Sequence, residues 1–197
     1  MDGAGARAPA SLVMNPAHSL IQAFSDAQDL VVHRGQNCAE CRGMGSTAIA
    51  GVVDGEALHL CHVGDTRGYH FSQGRLRRLT NDHSLVWRLV MAGLLTPDQA
   101  RVHPERGKIT QAIGMQAGVK PDVTSVALIP GDRVLLCSDG LWEAMADHDI
   151  GTIVGSNGSM LELASTLVDK ANAASGQDNI TAVLYEHGMS QLVGRGR

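Results

Sequence analysis

Residues 133–143 read RVLLCSDGLWE, an apolar run broken by Ser138, Asp139 and Gly140. Five residues rich in branched aliphatics predict a buried strand, and an acidic residue followed by glycine ends it. Such an end is either an ordinary turn or a carboxylate held on a rigid stem. Working outward, Val123 to Ile129 and the Pro130-Gly131-Asp132 turn predict a hairpin partner upstream. Downstream, Leu161, Ala164, Leu167, Val168 and Ala171 recur at helical spacing, and Ile180 to Tyr185 predicts a last strand. Towards the N-terminus, Asn15-Pro16 opens a helix carrying Leu20, Ile21, Phe24, Ala27 and Val31, with Gly35 beyond its end. Ser46 to Val53 and Ala57 to Val63 flank Asp54-Gly55, while Thr66 to Phe71 and Arg75 to Leu79 flank Gln73-Gly74, so four short strands predict an antiparallel meander. Ser84 to Ala92 and the capping-box segment Thr96-Pro97-Asp98-Gln99 predict two short helices before His103-Pro104. Strands grouped with strands and helices with helices predict an α+β fold with antiparallel sheets rather than an alternating βαβ chain.

The chain has 197 residues, 44% of them hydrophobic, which is enough for one domain with its own core. We expect that domain over residues 1–188, with residues 189–197 as a C-terminal tail. Lys and Arg number 16 against 20 Asp and Glu, a net charge of −4, and no basic block supplies the surface that nucleic acid needs. Met1 to Ala6 has neither the basic nor the apolar region of a secretory leader, and no stretch is apolar over a membrane's width. These features predict a cytoplasmic protein without a membrane span.

Cys61 and Cys137 lie in strand-like apolar runs and read as core. Cys38-Ala39-Glu40-Cys41 has the spacing of half a zinc site with His33 nearby, but no second pair of ligands follows at similar spacing. A redox role for the pair lacks the preceding strand of a thioredoxin-like context.

Three aspartates share one pattern. Val63-Gly64-Asp65-Thr66-Arg67 joins two strands, Ser138-Asp139-Gly140 ends one, and Gln177-Asp178-Asn179 begins the last. Carboxylates at strand ends are positioned by the sheet and can converge on one rim, where magnesium or manganese finds oxygen ligands. Each one taken singly is better explained as a turn, because Asp-Gly and Asp-Asn are common turn dipeptides.

In order along the chain stand Gly43-Met44-Gly45-Ser46-Thr47, Val63-Gly64-Asp65-Thr66-Arg67-Gly68-Tyr69, Leu79-Thr80-Asn81-Asp82-His83-Ser84, Ile109-Thr110-Gln111-Ala112-Ile113-Gly114, Ser138-Asp139-Gly140-Leu141-Trp142-Glu143 and Gln177-Asp178-Asn179-Ile180-Thr181-Ala182-Val183. This series resembles the metal-dependent protein phosphatase 2C (PPM-type) family in its bacterial form, over roughly residues 20 to 186. Thr96 to Arg106 also resembles a helical segment of the bacterial members. The resemblance implies a four-layer α-β-β-α sandwich with two central antiparallel sheets and metals bound at one end. It implies hydrolysis of phosphoserine and phosphothreonine by a water activated on two Mn2+ or Mg2+ ions, with a third, weaker site, and no catalytic residues beyond the metal ligands. By the same resemblance, Asp139 and Asp178 hold the catalytic pair, and Asp65 with Asp139 holds the additional ion. The implied substrate is a phosphoprotein of a serine/threonine kinase pathway.

The chain also departs from the family pattern. The first strand, with its acidic ligand and phosphate-binding arginine, has no counterpart, so the chain is expected to be truncated at its N-terminus and to lack the family's N-terminal strands. Met1-Asp2-Gly3-Ala4-Gly5 matches the remnant of the second strand, which makes Asp2 a bridging ligand and the Gly3 carbonyl a further one. Two readings follow: a weakened metal-dependent phosphatase, or a catalytically impaired phosphatase-like module that binds a partner. His83 reads as a hydrogen-bonded turn residue rather than a catalyst.

Overall fold

The computed structural model describes residues 15–174 and 178–188. Its first helix, α1 (Pro16–Asn37), begins where predicted: the Asn15 side chain accepts the Ala17 N–H at 2.9 Å, and proline occupies the first turn. Leu20 and Phe24 form its buried stripe and pack on Cys61, Val63 and Ile113. The next strands are β1 (Ala48–Asp54), β2 (Ala57–Val63), β3 (Arg67–Ser72) and β4 (Arg75–Arg78). They do not form one meander. β1 and β2 belong to a three-stranded antiparallel sheet of order β1-β2-β5, with β5 spanning Asp122–Ala127. β3 and β4 belong to a four-stranded antiparallel sheet of order β4-β3-β6-β7, completed by β6 (Arg133–Cys137) and β7 (Ala182–Glu186).

The expected hairpin of β5 and β6 is also corrected, because the two strands lie in different sheets. The Pro130-Gly131-Asp132 turn is real, but it carries the chain between sheets. Asp132 accepts the Ile129 N–H at 3.0 Å and sits 2.7 Å from His70 Nε2 on β3, so the turn is anchored to the second sheet. Leu128, 1% exposed, is buried with Leu58, Leu60, Leu79 and Val134 between the two sheets.

Four further helices are α2 (Leu85–Met91), α3 (Pro97–Arg101), α4 (Asp139–Trp142) and α5 (Asp147–Val154), and α6 (Met160–Ala174) is the long C-terminal one. α5 and α6 cover the second sheet through Ile150, Val154, Leu167 and Ala171, which bury Tyr69 and Leu135. Helix, sheet, sheet and helices thus enclose three apolar layers, the α-β-β-α sandwich. No helix among the described residues is long and apolar enough to cross a membrane.

Candidate active site

Strand register places the site. Arg67, Cys137 and Ala182 stand opposite one another across β3, β6 and β7. The residues just before Arg67, just after Cys137 and just before Ala182 therefore emerge at the same end of the sheet. Asp65, Asp139 and Asp178 occupy those positions. Gly64 to Thr66 is also the bridge from β2 in one sheet to β3 in the other, so Asp65 sits where the two sheets meet.

Two glycines make this convergence possible. Gly64 has φ +101°, and a Cβ there would run into the Thr47 side chain, so the turn needs glycine for both conformation and space. A Cβ on Gly140 would stand 2.5 Å from the Asn179 carbonyl oxygen, which lets α4 close against the segment entering β7. Ser138 completes this junction: its N–H donates to the Thr181 carbonyl at 3.1 Å, and its hydroxyl accepts the Thr181 N–H at 3.0 Å.

The aspartates differ in setting. Asp65 is buried, Asp139 half-buried and Asp178 exposed. Asp139 Oδ1 accepts the Gly140 N–H at 2.9 Å and Asp178 Oδ1 accepts the Asn179 N–H at 2.7 Å, which orients each carboxylate on its own turn. Burial and the neighbouring charge of Asp139 push the Asp65 carboxyl up to about 6. Among the described residues none of the three has an ion-pair partner. Among the described residues the donor atoms of the three carboxylates do not all come within 4.8 Å of one another, but they share one end of the sheet, and oxygen donors without an ion-pair partner suit a hard divalent ion. Asp2 and Gly3 lie outside the described residues.

Asp65 and Asp178 line a cleft of about 880 Å³ together with Gly140, Glu143, Asp147, Arg101 and Arg106. Its floor is a network that sequence reasoning missed. Arg67 donates to both oxygens of Asp82, from Nε at 2.9 Å and from Nη2 at 2.6 Å, and its guanidinium lies 3.5 Å over the Trp142 ring. Burial works against the Arg67 charge, but Asp82 outweighs it and holds the guanidinium more firmly protonated than usual. Trp142 Nε1 in turn donates to the Asp65 carbonyl at 2.9 Å, so the indole props the Asp65 turn. Arg67, Asp82 and Trp142 all fall within the quoted motifs, but their pairing across 15 and more residues leaves no signal in spacing.

The described residues also group His62, His83 and Asp122, whose donor atoms lie within 4.8 Å of one another. Hydrogen bonding already accounts for this cluster. The Gly64 N–H points at His83 Nδ1 at 3.2 Å, which leaves the ring proton on Nε2, facing Asp122 at 3.3 Å. An ion at Nε2 would force that proton onto the nitrogen already facing an N–H. His62 Nε2 lies 2.9 Å from the Asn81 carbonyl and donates to it. His83 is thus a turn clamp, as expected, and its own N–H donates to the Gly64 carbonyl at 2.8 Å.

Comparison with known proteins points the same way. Residues 1–188 match the family model described as Stage II sporulation protein E (SpoIIE). The chain is 36% identical over 152 residues to the serine/threonine phosphatase stp of Listeria welshimeri, covering 77% of this chain and 60% of that protein. It is 42% identical over 144 residues to the protein phosphatase PhpP of Streptococcus pneumoniae, covering 73% and 58%. The chain therefore spans about 60% of the length of the curated relatives it matches. Among solved structures, the serine/threonine phosphatase Stp1 from Staphylococcus aureus superposes with a TM-score of 0.85 at 30% identity, over 91% of this chain and 71% of that one. The catalytic domain of the phosphatase PstP in complex with two manganese ions superposes with a TM-score of 0.79 at 31% identity, over 87% and 71%.

Proposed function

The chain belongs to the SpoIIE/PP2C-type family of bacterial PPM phosphatases, and from that membership we propose that it hydrolyses phosphoserine and phosphothreonine in proteins with manganese or magnesium. The observation that carries this reading is that Asp65 and Asp178 line one cleft at the end of the sheet where Asp139 also emerges, with burial and the nearby Asp139 charge raising the Asp65 carboxyl to about 6. Asp139 and Asp178 would hold the catalytic ions, and Asp65 with Asp139 a weaker additional one. Asp2 and the Gly3 carbonyl would complete the set within one domain spanning residues 1–188. A pair of such ions supplies a water that ionises near neutral pH and offsets the charge of a phosphate monoester.

The protein's own residues then have distinct tasks. Arg67 is committed to Asp82, and Arg101 donates to the carbonyls of Trp142 and Met145 at 3.1 and 3.2 Å. Arg78 is stacked 3.8 Å over Trp87. Arg106 is about half exposed and only 3.9 Å from Glu143 at its nearest, so it is the cleft arginine best placed to turn towards a substrate phosphate. Trp142 and the His83 clamp keep the Asp65 turn in register, so the carboxylate does not have to be reorganised when substrate enters. A cleft of this size, open to solvent, suits a phosphorylated side chain on a protein surface. The substrates would be phosphoproteins of a serine/threonine kinase pathway in the cytoplasm.

The test is calorimetry with manganese alongside turnover of p-nitrophenyl phosphate and a phosphothreonine peptide. Asp139→Asn should lose the tighter binding phase and lower turnover by roughly tenfold to a hundredfold or more. Equal manganese affinity in the variant would remove this site. Tight binding by the wild-type chain with no turnover of either substrate would favour a phosphoprotein-binding module instead.

A further inference from the structure

The turn after α1 holds two thiols that the phosphatase reading leaves unused. Cys38 caps the helix with its N–H donating to the Arg34 carbonyl at 3.0 Å, and the Cys41 N–H donates to the Cys38 carbonyl at 3.0 Å. That four-residue turn keeps the two Cα atoms within the range a disulfide spans. It also brings the sulfurs together: the Cys41 thiol donates to Cys38 Sγ at 2.7 Å. Gly35 lets the turn fold back on the helix, since a Cβ there would stand 3.3 Å from the Cys41 carbonyl oxygen.

Environment separates this pair from the other cysteines. Cys61 and Cys137 are buried, and burial pushes their thiols up to about 11 and about 12. Cys38 and Cys41 are partly exposed. The Cys41 hydrogen bond, helped by the backbone N–H groups of Cys41 and Glu40, holds the Cys38 thiol below its ordinary value. Among the described residues no third histidine, cysteine or carboxylate donor joins the two sulfurs. The half-site for zinc therefore stays a half-site, and the objection that no strand precedes the pair does not matter for a turn that closes on itself.

We propose that Cys38 and Cys41 are a reversible redox pair, a surface dithiol that hydrogen peroxide converts into a disulfide across the turn between α1 and β1. In the first step the Cys38 thiolate attacks one peroxide oxygen, the O–O bond breaks, and Cys38 becomes a sulfenic acid as hydroxide leaves and is protonated to water. In the second, Cys41 sulfur attacks the Cys38 sulfur, its proton goes to the departing hydroxide, and a second water is released. Two electrons pass from the thiols to the peroxide, and a dithiol reductant returns the pair by exchange. The segment that follows the turn runs through Gly43 to Thr47, whose side chain lies under Gly64, the neighbour of Asp65. The proposal does not depend on the phosphatase activity.

Native protein treated with hydrogen peroxide, blocked with a maleimide and mapped by mass spectrometry tests it. The expected product is an intramolecular Cys38–Cys41 peptide cross-link, fully reversed by dithiothreitol, with Cys61 and Cys137 labelled only after denaturation. Cys41→Ser should stop at a sulfenic acid on Cys38 that dimedone traps, and Cys38→Ser should consume peroxide roughly tenfold more slowly than Cys41→Ser. Both substitutions are small and lie in a surface turn, and circular dichroism checks that the fold is kept. Sulfonic acid at both positions without a cross-link, a cross-link between chains on a non-reducing gel, or equal peroxide rates for the two serine variants would overturn the proposal.

Discussion

An isolated aspartate ionises near pH 4, but Asp65, buried beside Asp139, keeps its proton to about pH 6. Its folded value lies above the unfolded one, so the metal-free native state binds the extra proton. The stability linked to Asp65 is fully present below about pH 4 and is lost as pH rises towards 6. A cation at the site reverses the charge balance and must displace that proton below pH 6. The affinity of the weaker manganese phase should therefore rise by nearly tenfold per pH unit at its steepest between pH 4.5 and about 6, then level off. Asp65→Asn should flatten the profile, and calorimetry across this range decides it; a pH-independent affinity would show that Asp65 does not face the ion. Gly140→Ala is a second residue-scale test. Its methyl would press on the Asn179 carbonyl and spread the Asp139 and Asp178 turns, so manganese affinity should fall while the fold loses about 1–3 kcal/mol.

At the scale of elements, Arg67 at the start of β3 joins the β4–α2 connection through Asp82 and α4 through Trp142. Arg67 and Asp82 are both nearly buried, with side-chain exposures of 7% and 5%. Arg67→Ala would leave Asp82 buried beside Arg78 alone, at 3.6 Å, and should cost about 3–5 kcal/mol in urea unfolding. The Arg67→Ala/Asp82→Ala pair should cost clearly less than the sum of its singles; strict additivity would mean the two side chains act independently. Thr96 is a smaller case. Its hydroxyl and Gln99 form both halves of a capping box on α3, a helix of five residues, so Thr96→Ala should cost about 1 kcal/mol and loosen Arg101 from the loop after α4. The capping box was readable from Thr96-Pro97-Asp98-Gln99, whereas α4, at four residues, is too short to carry any helical period.

For the whole molecule, the proposed metal site would lie where the two sheets meet and should report on the stability of both. With free manganese roughly a hundredfold above its Kd, the native state should gain about 2.7 kcal/mol. For a chain of this size that is a rise in melting temperature of roughly 5–10 °C. Asp139→Asn should abolish the rise without lowering the melting temperature in chelator. A variant that still gains the full shift would place the ion elsewhere, and a variant already destabilised in chelator would make Asp139 a structural turn residue.

Strand, turn and cap chemistry are local, so the sequence by itself determined nearly every element: the Asn15 cap, the Asp54-Gly55 and Gln73-Gly74 hairpins, and the strand at 133–137 that ends in Asp139. Six short motifs in order along the chain carried the family resemblance. Which strands pair was another matter. Val63 to Arg67 looks like one more connection in a meander, and Pro130-Gly131-Asp132 like a hairpin turn, because local residues specify a change of direction but not the sheet that receives the next strand. Only the tertiary structure decided that, through burial of Leu58, Leu60, Leu128 and Val134 between two sheets. The same packing put three aspartates spread over more than 100 residues of chain at one end of a sheet and raised the Asp65 carboxyl, since burial and the charge of a distant neighbour are properties of the fold and not of the chain.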